Sequence, residues 1–247
     1  MGIRKMTNIP ISDYTVATPG SLPVRMAVRQ RRRMFSIFVK ECEIRDDVSV
    51  LDVGVTSDQS YESSNYVEAW LPKKSRITAV GLDDAAFLED LYPGLKFIKA
   101  NGLDLPFEDK SFNVVHSSAV LEHVGSFENQ VKLIAECARV SKDSFFLTTP
   151  NRFFPIEFHT VLPLVHWLPK PWFRQIMKKT GREFFASESN LNLMSISELR
   201  EATTLALQDC NFEFKVISVR LLGCTSNLLL HGKRVLKEAQ GGCNERL

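Results

Sequence analysis

A chain of 247 residues with 44% hydrophobic content is long enough to bury a sizeable core without disulfide or metal staples. Lys plus Arg numbers 31 against 29 for Asp plus Glu, so the net charge of +2 excludes a strong global field for nucleic acid and any basic recognition must be local. The five cysteines, Cys42, Cys137, Cys210, Cys224 and Cys243, form no CxxC pair and no Cys/His cluster with zinc-ligand spacing, so a reducing compartment and no metal site are expected.

The opening MGIRKMTNIP has no apolar run behind its basic residues, and position 6 is Met where a myristoylation signal needs Ser or Thr. No apolar stretch approaches the roughly 20 residues that span a bilayer. A cytoplasmic protein is expected. In chain order, Val24, Val28, Phe35, Phe38 and Cys42 recur at helical spacing while Arg29, Arg31, Arg32 and Arg33 fall mostly on other faces, which predicts an amphipathic helix over about 24–42. Strand-like runs follow at 48–53, 76–82, 95–99, 112–117 and 144–149, with helical patterns between them at about 61–71, 84–91 and 127–140. Strands alternating with helices predict right-handed βαβ units and a parallel sheet covered on both faces. The last third breaks the rhythm. After a helix at 196–207, strands at 212–221 and 227–231 are joined by a turn around Gly223 too short to cross over, so they must pair as an antiparallel hairpin. The tail after Val235 reads as frayed.

Three strand ends carry candidate chemistry. Val50-Leu51-Asp52-Val53-Gly54 closes an apolar strand with an acid and a glycine, where a backbone can approach a ligand or simply make a tight turn. The second strand ends Gly81-Leu82-Asp83, an acid able to accept from a ribose diol or to cap the next helix. The third leads into Asn101-Gly102-Leu103-Asp104-Leu105-Pro106-Phe107.

With these, the segments LPFEDKSFNVVHSSAVLEHV and RVSKDSFFLTTPN make residues 48–151 resemble the class I S-adenosylmethionine-dependent methyltransferases, in particular the group labelled methyltransferase type 11. The resemblance implies a Rossmann-like, doubly wound, mostly parallel sheet ending in an antiparallel hairpin, in a single α/β domain over 1–247: an N-terminal helix at about 24–42, a cofactor-binding core at about 48–150, an insertion at about 151–190, and a C-terminal helix and hairpin at about 196–231. It implies S-adenosylmethionine as cofactor. Asp52 and Gly54 would shape the methionine pocket, Asp83 would hold the ribose, Asn101 would accept from the adenine amino group beside Gly102 and Leu103, and Ser117 would lie near the sulfonium. The chain departs from the family where more glycines are expected after Gly54: Val55-Thr56-Ser57-Asp58 stands there, putting Asp58 near the cofactor's amino group or in a capping role. Asn113 replaces a common Asp, and Asp143-Ser144 a usual Gly-Gly turn.

Methyl transfer from a sulfonium needs alignment and water exclusion, and a base only for a poorly ionised acceptor. His123 and His159 are the candidate bases, each with a structural reading beside it. Residues 151–190 are too long for an ordinary connection. They hold Phe153, Phe154, Phe158, Trp167, Trp172 and Phe173, with Arg174, Lys178 and Lys179, and four prolines forbid one long helix. The segment reads as a hydrophobic cap or as a lid over the methyl acceptor, with Phe154, His159, Trp167 and Trp172 facing it and peripheral membrane contact open to its aromatic and basic residues. The acceptor would be a small molecule, a sugar or a lipid-linked intermediate, and nucleic acid is not expected. A nucleic-acid methyltransferase lacks support because Ser117-Ser118-Ala119-Val120 stands where an amino-directed enzyme carries (Asp/Asn)-Pro-Pro-aromatic. A dehydrogenase would need the missing GxGxxG, while a non-catalytic cofactor-binding regulator stays open. Nothing in the sequence sets the oligomeric state.

Overall fold

The computed structural model describes residues 22–59, 62–157, 159–160 and 162–235. Seven strands, β1 (Val50–Val53), β2 (Ile77–Gly81), β3 (Lys96–Lys99), β4 (Phe112–Ser118), β5 (Ser141–Pro150), β6 (Phe212–Leu221) and β7 (Cys224–Arg234), form one sheet in the order β3-β2-β1-β4-β5-β7-β6. The first five run parallel, and β7 is antiparallel to both β5 and β6. The sheet therefore reverses its winding between β1 and β4. That switch point leaves a crevice at the carboxyl ends of the strands, where open α/β sheets bind ligands. The expected hairpin is present. Its strands meet at Leu221 and Cys224 around Leu222 and Gly223, both at positive φ, the two-residue turn whose twist matches paired strands.

Period-two alternation sorts each strand between two cores. Leu51, Val53, Val115, Phe145 and Leu147 face α4 (Phe127–Val140) and α7 (Ile196–Leu207), where Leu133, Ile134, Cys137, Leu199 and Ala202 meet them. On the opposite face Val50, Ile77, Ala79, Val114 and Phe146 pack against Phe38 and Met34 of α1 (Leu22–Glu41) and against Tyr66 and Val67 of α2 (Tyr66–Trp70). The expected helix at 61–71 begins as a 3-10 turn, Glu62–Asn65, and is α-helical only from Tyr66, with residue 61 outside the described set. Likewise, only Phe87–Leu91, α3, forms of the helix expected at 84–91, because the Asp84 carboxylate accepts the Ala86 N–H and holds the chain in a turn. Three of the five arginines of α1 are engaged within the chain. Arg31 donates to Ser63, Arg32 lies 5.2 Å over the Trp70 ring, and Arg33 donates to the Arg220 carbonyl.

The insertion builds a third, smaller core. Phe173 and Met177 of α5 (Lys170–Lys179), Phe185 and Ala186 of α6 (Glu183–Ala186), and Leu191 and Leu193 bury one another. Its prolines act as the sequence predicts: Pro169 precedes α5 and Pro171 sits in its first turn, where its missing N–H costs nothing. The segment forms a 3-10 turn, Val165–Trp167, and two short helices. Phe158 and the tail after Val235 lie outside the described residues.

Candidate active site

The turn after β1 is held without the usual glycines. Gly54 has φ 99° and lies so close to Val120 that an added Cβ would meet Val120 Cγ2 at 2.1 Å, so only glycine fits between the β1 and β4 turns. The next residues are clamped by a side chain that sequence reasoning overlooked. Asn65 accepts from the Thr56 N–H and donates to the Thr56 carbonyl, both at 2.9 Å, doing with one amide what a glycine-rich turn does with backbone alone. Asp58 is half-buried in this loop, with Ser64 donating to its carboxylate at 3.2 Å.

Asp52 lies beneath the turn rather than on its surface. Its carboxylate pairs with His116 Nδ1 at 2.6 Å, and His116 Nε2 meets the Tyr66 hydroxyl at 2.9 Å. Glu68 is fully buried alongside. Burial pushes the Asp52 carboxyl up to about 7 and the Glu68 carboxyl well above its ordinary range, with the Asp52 charge adding to the latter. Burial also lowers His116 to about 4. The four side chains form one polar island under the crevice, invisible in sequence because they come from three separated segments.

Asp83 is exposed at the end of β2, and Asp84 rather than Asp83 occupies the capping turn that sequence left open. Asn101 closes its own turn: Oδ1 accepts the Leu103 N–H at 3.0 Å, and the Asn101 carbonyl accepts the Asp104 N–H. Gly102 is glycine for packing, since a Cβ would press on Val53 at 2.9 Å and Leu133 at 3.1 Å. Leu103 is half-buried. The Ser117 hydroxyl turns into the sheet and donates to the Val53 carbonyl at 2.8 Å, locking β4 to β1.

Beyond β4 the chain turns sharply at Ala119, φ 56°, into the short 3-10 turn Leu121–His123. His123 Nδ1 donates to the Asn190 carbonyl at 2.8 Å, and its ring meets that of His159 edge-on with centroids 4.9 Å apart. The two histidines expected separately as bases thus share one site, although 36 residues part them in sequence. His159 Nδ1 pairs with Glu157 at 2.6 Å, and Glu157 also accepts the His159 and Thr160 N–H groups. Burial pushes Glu157 up, but these bonds and the imidazole charge outweigh it and bring the carboxyl down to about 2. Burial opposes protonation of His159, yet Glu157 raises it overall, whereas burial lowers His123. Glu122, fully buried, accepts from Thr149 of β5 at 2.9 Å.

Of the expected acceptor residues, Phe154 is buried and its carbonyl accepts from His166 Nε2 at 2.7 Å. Trp167 stacks edge-on against Phe153 and is 43% exposed, and Trp172 of α5 is 63% exposed, whereas Phe173 and Met177 of the same helix are buried. The tryptophans form outer surface, while His159 alone of the four stands beside His123.

The strand order and the crevice define the class I methyltransferase fold, and solved structures share it. The YcgJ protein of Bacillus subtilis superposes with a TM-score of 0.54 at 15% identity, covering 82% of this chain and 98% of that one. The magnesium protoporphyrin IX methyltransferase of Synechocystis, solved with bound SAH, gives 0.55 at 12% identity over 91% of this chain and 92% of that one. Residues 52–147 match the family described as Methyltransferase domain. A Mycobacterium tuberculosis protein named as a probable S-adenosylmethionine-dependent methyltransferase is 36% identical over 81 residues, 31% of this chain. The match spans only 28% of that relative's length.

Proposed function

We propose that the protein transfers the methyl group of S-adenosylmethionine to a small-molecule, sugar or lipid-linked acceptor. The observation that carries this is the convergence, at the carboxyl ends of β1, β2, β3 and β4, of the Gly54 close approach, the exposed Asp83 carboxylate, the Asn101–Leu103 turn and the His123–His159 pair. Asp83 accepts from the ribose hydroxyls, with the half-exposed Leu82 beside it as an apolar wall. The Asn101 turn and Gly102 take the adenine, and Gly54 and Asp58 take the methionine end. Asp52 and Ser117 act from below: they hold the turns in place through His116 and Val53. The histidine pair promotes ionisation of the acceptor. Trp167 and Trp172 belong to the outer face of the insertion.

Isothermal titration with SAH tests the assignment. Asp83→Ala should bind about tenfold more weakly or worse, since a hydrogen bond to a charged group contributes about 1.5–3 kcal/mol. Wild-type affinity in a folded variant would remove Asp83 from the site, and absence of SAH binding in the wild type would remove the methyltransferase reading.

A lipid-linked acceptor is favoured by one further feature. Phe153, Ile156, Leu164, Trp167 and Trp172 are all exposed in the insertion, with Lys170, Lys178, Lys179 and Arg182 on the same segment, a composition suited to an anionic membrane surface. Among the described residues no helix is long and apolar enough to cross a membrane.

A further inference from the structure

Glu122 presents an unexplained oxygen. Its Oε2 accepts from Thr149, but Oε1 is fully buried and has no hydrogen-bond partner among the described residues. A carboxylate oxygen withdrawn from water without a partner is costly, and so calls for a cation. What Oε1 faces is imidazole: His123 Nε2 stands 4.0 Å away, and Glu122, His123 and His159 each bring one ligand atom into a cluster in which all lie within 4.8 Å of one another.

The rings are also oriented for the task. His123 commits Nδ1 to the Asn190 carbonyl and His159 commits Nδ1 to the Glu157 carboxylate, so in both the nitrogen turned to the cluster is Nε2. A metal-bound histidine is held in this way, with its second nitrogen donating to a backbone carbonyl or a carboxylate that fixes the tautomer. A tetrahedral zinc with ligands at about 2.1 Å would set them about 3.4 Å apart, a contraction of roughly an ångström here. The His123 and His159 side chains are 24% and 17% exposed, which leaves room for a further ligand from solvent or substrate.

We propose that Glu122 Oε1, His123 Nε2 and His159 Nε2 form a binding site for a divalent transition-metal ion of the zinc type, with Glu157 and Asn190 as positioning residues. Two imidazoles and one carboxylate suit zinc, cobalt or iron better than the all-oxygen ions magnesium and calcium. Spacing along the chain could not reveal it, because Glu122 and His123 are adjacent while His159 arrives from the insertion. The ion's place in the reaction rests on the methyltransferase reading: an acceptor hydroxyl bound to it would break its O–H bond, release the proton to solvent and keep the oxygen as the nucleophile, as metal-bound water ionises near neutral pH. Metal binding itself does not rest on that reading.

The test uses the full chain stripped with chelator, titrated with Zn2+ by calorimetry and with Co2+ by visible absorption. A single saturable site is expected, with cobalt bands of a nitrogen- and oxygen-ligated centre and no thiolate charge-transfer band. Glu122→Gln and His159→Gln should each lower zinc affinity about a hundredfold, and Glu157→Gln about tenfold through the orientation of His159, with circular dichroism unchanged. If Glu122→Gln does not fold, His159→Gln, in the insertion and outside the sheet, decides alone. No saturable site in the wild type, or wild-type affinity in His159→Gln, overturns the proposal. SAH titration of the same samples separates the two readings: SAH binding without metal binding sinks the metal site only, and metal binding without SAH binding sinks the methyltransferase reading only.

Discussion

Asp52, Glu68 and His116 bind different numbers of protons in the folded and unfolded chain, so stability must depend on pH. The folded Asp52 and Glu68 carboxyls are raised by burial, so their contribution is full below the unfolded carboxylate range, near 3.8 for Asp52, and is lost as pH rises through about 7. His116 is depressed to about 4, so its contribution is present above 6.5 and lost as pH falls through 4. The two oppose each other in mild acid, but above 6.5 only the carboxyls act. The wild type should therefore lose stability between about pH 6.5 and 8, and Glu68→Gln, an uncharged isostere, should flatten that decline in urea melts at fixed pH. A decline of equal slope in the variant would take Glu68 out of the cluster. Gly54 offers a second residue-scale test. With φ at 99° and Val120 at 2.1 Å from any Cβ, Gly54→Ala should cost about 1–3 kcal/mol and SAH affinity with it. An alanine variant with normal melting and normal SAH titration would mean that the turn relaxes freely.

At the scale of elements, the distinctive feature is the pairing of the β1 turn with the start of α2. The chain has traded glycines for Thr56, Ser57 and Asp58 and stabilises the resulting loop through Asn65, from the 3-10 turn that leads into α2. Asn65 is 7% exposed, so its two hydrogen bonds to Thr56 are shielded from water. Asn65→Ala leaves the Thr56 N–H and carbonyl without those partners and should destabilise by about 1–3 kcal/mol. On the proposed placement this loop takes the methionine end of the cofactor, so SAH should bind several-fold more weakly in the same variant. Lost stability with unchanged SAH affinity would show the loop to be structural only.

For the whole molecule, the question is what the insertion faces. Its small core of Phe173, Met177, Phe185 and Leu193 lets it hold its shape while presenting Trp167 and Trp172 outward. Replacing both tryptophans by Ala should leave SAH affinity intact. Co-sedimentation with anionic vesicles should fall sharply in the double variant and fall with salt in the wild type, since each basic residue near such a surface contributes about 1 kcal/mol that ions screen. Equal vesicle binding by variant and wild type, or none by either, would return the insertion to a cap whose exposed tryptophans have no lipid partner.

Much of this architecture is legible in local sequence because it rests on local physics. Compact apolar strand runs at 48–53 and 112–117, the helix at 127–140 and the short turn around Gly223 are decided by nearby residues, and they are enough to imply the parallel sheet with its terminal hairpin. The strand-end motifs likewise mark the crevice, since β1, β2 and the turn after β3 each reach it in a fixed order. The polar contacts within it were not legible. Asp52 meets His116 across 64 residues, Asn65 clamps a loop that its own sequence neighbours do not identify, and His159 reaches His123 only because the insertion folds back over β4. Hydrogen bonds and ligand sets form between side chains that share a place, not a stretch of chain, and that place is decided by how the layers pack.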